Sequence, residues 1–148
     1  MIITGKGLVI GLWTTLRHLF RPAITVQYPA RKIEPKPRFR ARHALLMKED
    51  GTHRCIACLA CVRICPDRLI TVKSHKEEIP DSEKKRIVID GFTVEMEACM
   101  FCGLCEDVCP TTAIVLTRRY EMACEDRRAL FLDVRELIES GKGYDPPG

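Results

Sequence analysis

The sequence lacks an apolar run long enough to cross a membrane, and its first 48 residues are almost without acidic side chains. They contain ten Lys or Arg and a single acid, Glu34, for a net charge of +9, whereas residues 49–148 carry 14 basic and 19 acidic side chains. A basic segment of this kind meets anionic lipid, nucleic acid or an acidic protein surface. We therefore expect the basic third and the acidic remainder to face different partners, with a merely solvated arm as the alternative.

No removable signal is expected, because the N-terminal apolar patch is short and no small-residue cleavage site follows it. The 148 residues have room for one domain. Nine cysteines are an odd number for a disulfide framework. These features predict a reducing cytoplasmic setting in which the thiolates bind metal.

Arrangements of a nucleophile with a base are also missing. The histidines are His18, His43, His53 and His75, and they fall in the N-terminal arm or in polar segments. No serine or spare cysteine is placed as a nucleophile, and the carboxylates follow no ligand spacing. We predict no catalytic residue and expect the histidines at the surface or at an interface.

The sequence does contain a repeat with a period of 44 residues. Two runs of the pattern C-x2-C-x2-C-x3-C-P hold eight of the nine cysteines. The first run is Cys55, Cys58, Cys61 and Cys65 with Pro66, and the second is Cys99, Cys102, Cys105 and Cys109 with Pro110. In two-cluster ferredoxins with this pattern, the fourth cysteine of each run ligates the other cluster.

The spacing therefore predicts two [4Fe-4S] clusters with crossed ligation. Cluster one would be held by Cys55, Cys58, Cys61 and Cys109. Cluster two would be held by Cys99, Cys102, Cys105 and Cys65. Apolar residues between the cysteines, such as Ile56, Leu59 and Met100, are expected to exclude water. The main alternative, four-cysteine zinc sites, leaves the third cysteine of each run and both prolines unexplained.

The rest of the pattern predicts an α+β fold, a bacterial ferredoxin-like core with short C-terminal helices. Strands are predicted at residues 70–72, at residues 86–89 with a continuation toward Val94, and at residues 113–117. The charged residues 74–85 are predicted to form a surface loop. Asp133 and Glu136 form a capping-box pattern that opens a helix ending near Gly141. Residues 122–129 are compatible with another helix, in which we expect Cys124 to be a buried packing thiol.

Residues 7–20 predict an amphipathic helix, because Leu8, Leu12, Leu16 and Leu19 recur at helical spacing. A helix of that length is about 21 Å long, whereas the hydrocarbon core of a bilayer is about 30 Å thick. It could lie on a membrane but not span one, and a plain core helix is the alternative. Four prolines within residues 21–54 favour an extended conformation there.

The predicted organisation has four parts. Residues 1–22 form an amphipathic membrane-surface helix, and residues 23–52 an extended basic arm. Residues 53–120 form the duplicated two-cluster ferredoxin domain. Residues 121–148 form a C-terminal helical extension and tail.

The chain resembles subunit I of bacterial NADH:quinone oxidoreductase, respiratory complex I. The resemblance spans residues 24–141 and rests, beyond the cysteine runs, on three blocks: ITVQYP at 24–29, RFRARHAL at 38–45 and RCIAC at 54–58. The cysteine runs by themselves indicate a ferredoxin, and the two upstream blocks make the resemblance specific. At Ala41 the family commonly has glycine.

The resemblance implies an electron-transfer subunit of a redox-driven proton pump. Single electrons would pass through both clusters toward a further cluster beside the quinone site. The enzyme is then the whole translocase that oxidises NADH, and this chain is an electron carrier without a substrate site of its own. Which cluster receives the electrons first does not follow from the spacing.

The resemblance also implies the partners and the location. Other hydrophilic-arm and membrane-arm subunits would surround the chain, the helix at residues 7–20 would rest on the membrane surface, and the chain would be peripheral on the cytoplasmic face of the inner membrane. No nucleic-acid partner is expected, because no recognition module accompanies the alternating Arg38, Arg40 and Arg42.

Three other functions are compatible with the pattern. The first is the equivalent ferredoxin-like subunit of a membrane-bound hydrogenase or of a ferredoxin- or deazaflavin-linked dehydrogenase complex. The second is a soluble ferredoxin, which has no need for the basic arm. The third is a metal-stapled structural adaptor, which a brown, reducible chromophore would exclude.

Overall fold

A computed structural model of the chain describes residues 5–78 and 85–144. The chain divides into two units, the first ending at Glu34 and the second beginning at Pro35. In the first unit, helix α1 spans Lys6–Leu19, close to the range expected from the leucine spacing. None of its residues is buried. Among the described residues, no helix is long and apolar enough to cross a membrane.

The second unit has an α+β fold of short helices and antiparallel strands, as the sequence predicted. The strands are β1 (His43–Leu45), β2 (Ile70–Glu78), β3 (Lys85–Glu95), β4 (Ile114–Leu116) and β5 (Phe131–Leu132). The helices are α2 (Ala60–Ile64), α3 (Leu104–Asp107) and α4 (Val134–Gly141), with a 3-10 turn at Arg127–Leu130. β1 pairs with β4, and β3 lies between β2 and β5.

The β1–β4 pair is buried in the second unit. β4 was predicted from its β-branched residues, and all three of its residues are buried. β1 runs antiparallel to it, with His43 opposite Leu116 and Leu45 opposite Ile114. β1 was not predicted as a strand, because its residues follow the arginines of the basic arm and do not show a β-branched run.

The pairing of β2 with β3 extends further than the sequence indicated. Residues 74–78 and Lys85 were predicted to be loop, but they continue the ladder, with Glu78 opposite Lys85. The prediction was wrong there because ladder hydrogen bonds join backbone groups and do not require apolar side chains. A bulge between Lys73 and Ser74 shifts the register. The remainder of the predicted loop, residues 79–84, lies outside the described residues.

Helix α4 begins as the capping-box pattern predicted. The Asp133 side chain accepts a hydrogen bond from the Glu136 amide at 2.8 Å, and Leu137 is fully buried in the core. The helix ends at Gly141, where a Cβ atom would lie 2.5 Å from the Leu45 carbonyl oxygen. Glycine therefore allows the end of α4 to approach β1 closely.

The segment before α4 differs from the prediction. Residues 122–126 form no helix, and only the short 3-10 turn at Arg127–Leu130 follows. Cys124 is exposed, with its thiol donating to the Asp126 carbonyl oxygen at 3.3 Å. The expectation of a buried packing thiol was therefore wrong, because the segment is irregular and Cys124 lies on its exposed side.

The main core of the second unit includes cysteines of both runs. Phe92, Val94 and Leu116 pack in it together with Cys61 and Cys105. If these cysteines bind clusters, part of the core exists only when the clusters are present.

We therefore expect the chain without iron and sulfide to lack a protease-resistant core and to gain one on reconstitution. Circular dichroism and limited proteolysis before and after reconstitution measure this. A Cys124→Ala chain is the matched control and should behave as the unmodified chain does, because Cys124 lies outside both runs. Cooperative unfolding and protease resistance of the cluster-free chain would contradict the expectation.

Candidate iron-sulfur centres

The backbone of the two cysteine runs repeats as the sequence does. Three positions in or just after each run have positive φ, and they are separated by the same 44 residues as the cysteines. The pairs are Ala57 (51°) with Phe101 (53°), Leu59 (58°) with Gly103 (84°), and Arg68 (54°) with Thr112 (49°). Left-handed conformations cost side-chain-bearing residues roughly 1–2 kcal/mol each. Their recurrence indicates that the backbone of each loop curves around a site for a bound group.

Backbone amides donate hydrogen bonds to cysteine sulfurs at matching positions of the two runs. The amide two residues after the first cysteine lies 3.4 Å from its Sγ in both runs. The amide four residues after the fourth cysteine lies 3.4 Å from its Sγ in the first run and 3.2 Å in the second. The donors are Ala57, Phe101, Leu69 and Ala113. Such amides favour negatively charged sulfur.

Two cavities are lined by four cysteines each. The cysteines of the first are Cys55, Cys58, Cys61 and Cys109. The cysteines of the second are Cys65, Cys99, Cys102 and Cys105. The structure thus brings together the two sets that the crossed pattern predicts, with the fourth cysteine of each run at the cavity of the other run.

The donor set fits a cluster better than a single ion. Within residues 5–78 and 85–144, no three Cys, His, Asp or Glu side chains converge in a way that could hold one metal ion. The cysteines instead surround a space, and the other lining residues are mostly apolar, for example Phe92 and Ile114 at the first cavity. A cubane with four thiolate ligands is the group that this arrangement of donors suits.

Burial keeps several of these thiols protonated in the cluster-free chain. It raises the pKa of Cys61 to about 11, with a further contribution from the neighbouring Cys55. It raises the pKa of Cys105 to about 12 in the same way, with a contribution from Cys99. Burial also acts upward on the pKa of Cys109, but amides including those of Ile114 and Ala113 outweigh it and lower that pKa. Ligand formation must therefore release protons.

His43 is the residue near the site that sequence reasoning missed. It was expected at the surface or an interface, but it is only 2% exposed. Its Nε2 lies 3.4 Å from Cys105 Sγ, its Nδ1 lies 3.1 Å from Met96 Sδ, and its ring stacks on Phe101. Burial lowers the pKa of His43 to about 4. The one available signal was the two-residue spacing of His43 and Leu45, which places both on one face of a strand.

The other histidines differ in exposure and in their contacts. His18 and His75 are exposed as expected, and His75 pairs with Asp90 at 2.7 Å. His53 is partly buried, and its Nδ1 lies 2.8 Å from the Cys55 carbonyl oxygen. It therefore contacts the first run through the backbone and not through a sulfur.

Arg40 holds the backbone of the second run. Its guanidinium donates to the Cys102 carbonyl oxygen and lies 4.0 Å from the Asp107 carboxylate. The guanidinium also covers Gly103, where a Cβ atom would lie 2.5 Å from the Arg40 Cζ. A Cβ atom here would make the Arg40 side chain shift, and glycine adopts the φ of +84° without strain.

Several of the apolar residues between the cysteines are exposed in the isolated chain. Ile56 is 47% exposed and Met100 63% exposed, and Leu59, Leu104 and Val108 are also exposed. The exclusion of water from the clusters by these side chains stays a prediction. Exposed apolar patches mark interaction surfaces.

Comparison with known proteins identifies the same module. A family profile described as a 4Fe-4S dicluster domain matches residues 54–113. The chain is similar to NADH-quinone oxidoreductase subunit I 2 of Geobacter metallireducens, at 35% identity over 88% of this chain and 95% of that protein. It is also 37% identical to the protein of the same name from Streptomyces coelicolor, over 93% of this chain and 70% of that protein.

Two other similar proteins are longer than this chain. The subunit I 2 of Symbiobacterium thermophilum is 36% identical over 95% of this chain, which spans 58% of its length. A chain in the solved structure of the membrane-bound sulfane sulfur reductase, an archaeal respiratory membrane complex, matches with a TM-score of 0.54 and 31% identity. That match covers 78% of this chain and 55% of the other.

These similarities confirm the family and the two [4Fe-4S] cofactors that the sequence predicted, and with them the role of an electron-transfer subunit. Two of the relatives, those of Geobacter and Streptomyces, are covered over more than two thirds of their length at 35% and 37% identity. The chain belongs to the subunit I family of NADH-quinone oxidoreductases.

Proposed function

We propose that each cavity holds one [4Fe-4S] cluster with crossed ligation. Cluster one takes Cys55, Cys58, Cys61 and Cys109, and cluster two takes Cys99, Cys102, Cys105 and Cys65. The observation that carries the proposal is the composition of the two cavities, each lined by three cysteines of one run and the fourth of the other. The matched amide–sulfur hydrogen bonds support it.

In this proposal the chain relays single electrons within an NADH-quinone oxidoreductase. When bound, the clusters supply one-electron oxidation and reduction at the two sites. The chain's own residues hold the ligand sulfurs in place, stabilise their negative charge through backbone amides such as those of Ala57 and Phe101, and surround them with apolar side chains. The electrons leave toward a cluster near the quinone site in a neighbouring subunit.

Neighbouring subunits would cover the exposed apolar residues beside the clusters. Ile56, Met100 and Leu104 are exposed although they adjoin the ligands, and water beside a cluster changes its potential. A second subunit packed on each of these surfaces would both exclude that water and bring an electron donor or acceptor near. Assembly with other subunits of the hydrophilic arm follows from this need.

The N-terminal unit would attach the chain to the cytoplasmic surface of the membrane and to the membrane arm. Leu8, Leu12, Trp13, Leu16 and Leu19 share one face of α1 and are all exposed. Arg17 and His18 lie in the last turn of the helix. An apolar face bordered by basic residues is the composition of an interfacial helix. The chain would therefore be peripheral.

A second candidate is the equivalent subunit of another membrane-bound redox complex, of the hydrogenase or ferredoxin-linked dehydrogenase type. The similarity to a chain of the archaeal sulfane sulfur reductase complex supports this second candidate. A similar module is a subunit there of a membrane complex other than an NADH-quinone oxidoreductase. The electron donor distinguishes the two candidates.

The test is to isolate the native complex that contains this chain and to follow its clusters by EPR. We expect NADH to reduce clusters one and two, with dithionite as the control for full reduction, and the isolated chain to carry about eight iron and eight sulfides. Reduction by reduced ferredoxin but not by NADH would favour the second candidate. Stoichiometric zinc in native material would overturn both.

A further inference from the structure

The repeat makes the two cavities alike, but β1 lies outside the repeat and contacts them differently. Alternate residues of a strand point to the same side, so His43 and Leu45 share one face of β1. His43 lines the cavity assigned to cluster two, and Leu45 lines the cavity assigned to cluster one. One strand therefore presents an imidazole to one site and an alkyl group to the other.

The imidazole is fixed in place. His43 is buried, its ring stacks on Phe101 with centroids 6.5 Å apart and an angle of 28° between the planes, and its Nδ1 lies 3.1 Å from Met96 Sδ. These contacts direct Nε2 at Cys105 Sγ, 3.4 Å away. Leu45 has no polar side-chain atom, so the first cavity receives no equivalent donor from β1.

The proton of the ring belongs on Nε2 when Cys105 is a cluster ligand. The two candidate acceptors are the Cys105 sulfur and the Met96 thioether, and a thioether is a weak acceptor whereas an anionic sulfur is a strong one. The neutral Nε2–H tautomer and the imidazolium both donate from Nε2. The direction of the hydrogen bond therefore does not depend on the charge of the ring.

We propose that His43 is a positioning residue that raises the reduction potential of cluster two by donating a hydrogen bond from Nε2–H to Cys105 Sγ. Cluster one lacks this contribution because Leu45 takes the corresponding place. The proposal rests on the crossed ligation proposed above. Reduction adds one electron and makes the ligand sulfurs more negative, so a donor stabilises the reduced state more than the oxidised one. No bond is made or broken.

The test is a redox titration of the holoprotein followed by EPR, with dithionite and mediators as the source of electrons. In His43→Leu the ratio of reduced to oxidised cluster two should fall at least threefold at a given potential, a downward shift of about 30 mV or more at 59 mV per tenfold for one electron. His43→Gln, which keeps an N–H donor, should lie closer to the wild type. His75→Leu, at an exposed histidine that lines neither cavity, should leave both potentials unchanged.

A second readout uses the wild-type protein. With 15N-labelled histidine, pulsed EPR of reduced cluster two should detect coupling to a histidine nitrogen that disappears in His43→Gln. This decides the question even if His43→Leu does not fold. Two reducible clusters with an unmoved potential in His43→Leu, or no 15N coupling in the wild type, would overturn the role of His43 alone. Loss of the cluster-one signal and retention of the cluster-two signal in Cys65→Ala would instead overturn the proposed ligation.

Discussion

Replacing Cys65 with alanine is expected to abolish the EPR signal of reduced cluster two, although Cys65 lies in the first cysteine run. Cys65 lines the same cavity as Cys99, Cys102 and Cys105, so its loss leaves cluster two with three ligands. Cluster one keeps all four of its cysteines. Low-temperature EPR of the reduced variant, with iron and sulfide analysis, measures the result as the loss of about half of the iron.

The mirror variant makes this test specific. Cys109→Ala should remove the cluster-one signal and leave the other, because Cys109 lines the first cavity. Cys65→Ser keeps a weaker oxygen ligand and should give partial occupancy of cluster two if the alanine variant is poorly folded. Cys124→Ala should change neither signal. Loss of the same signal in Cys65→Ala and in a Cys55→Ala variant would show that ligation follows the runs and is not crossed.

Deleting residues 1–22 is expected to release the chain from membranes and to stop quinone reduction while both clusters still assemble. All eight candidate ligands lie at Cys55 or beyond, and the second unit, which contains them, begins at Pro35. The deletion removes the exposed apolar face of α1. Membrane fractionation together with EPR of the clusters separates anchoring from cluster assembly.

Paired substitutions identify the face of α1 that is responsible. Leu12→Gln with Leu16→Gln should weaken membrane attachment by roughly 3 kcal/mol or more, about a hundredfold. Thr14→Gln with His18→Gln, on the opposite face, is the matched control and should change attachment little. Arg17→Gln and Arg21→Gln should each cost about 1 kcal/mol if anionic lipid contributes, and charge reversal should cost more. Normal membrane retention of the deleted chain would assign the attachment to other residues.

The parts of the fold that were predictable are those with local signals. Asp133 and Glu136 form a cap within a single turn of chain, and the structure has that hydrogen bond. The cysteine runs repeat at fixed spacing, and the backbone conformations repeat with them. The residues of β4 are β-branched or aliphatic and buried. In each case the residues that carry the signal are also the residues that make the contact.

The parts that were missed depend on pairing between distant segments. β1 is a strand because it pairs with β4, about 70 residues away, and nothing in its own residues required that pairing. Its burial made His43 a neighbour of Cys105, a contact across 62 residues. Residues 74–78 likewise form a strand because β3 lies alongside them. Cys124 was assigned to the core from its residue type, but the path of the chain leaves it exposed.

The short helix α2 has a consequence for the speed of electron transfer. Cys61 lies within α2, and Cys65 directly follows its end, so under crossed ligation one turn of helix, a rise of about 6 Å, joins a ligand of each cluster. Electron tunnelling slows steeply as the gap between centres widens, and a helical turn closed by its own hydrogen bonds is a stiff spacer. The gap between the two clusters would therefore stay nearly constant under thermal motion, whatever the surrounding subunits do.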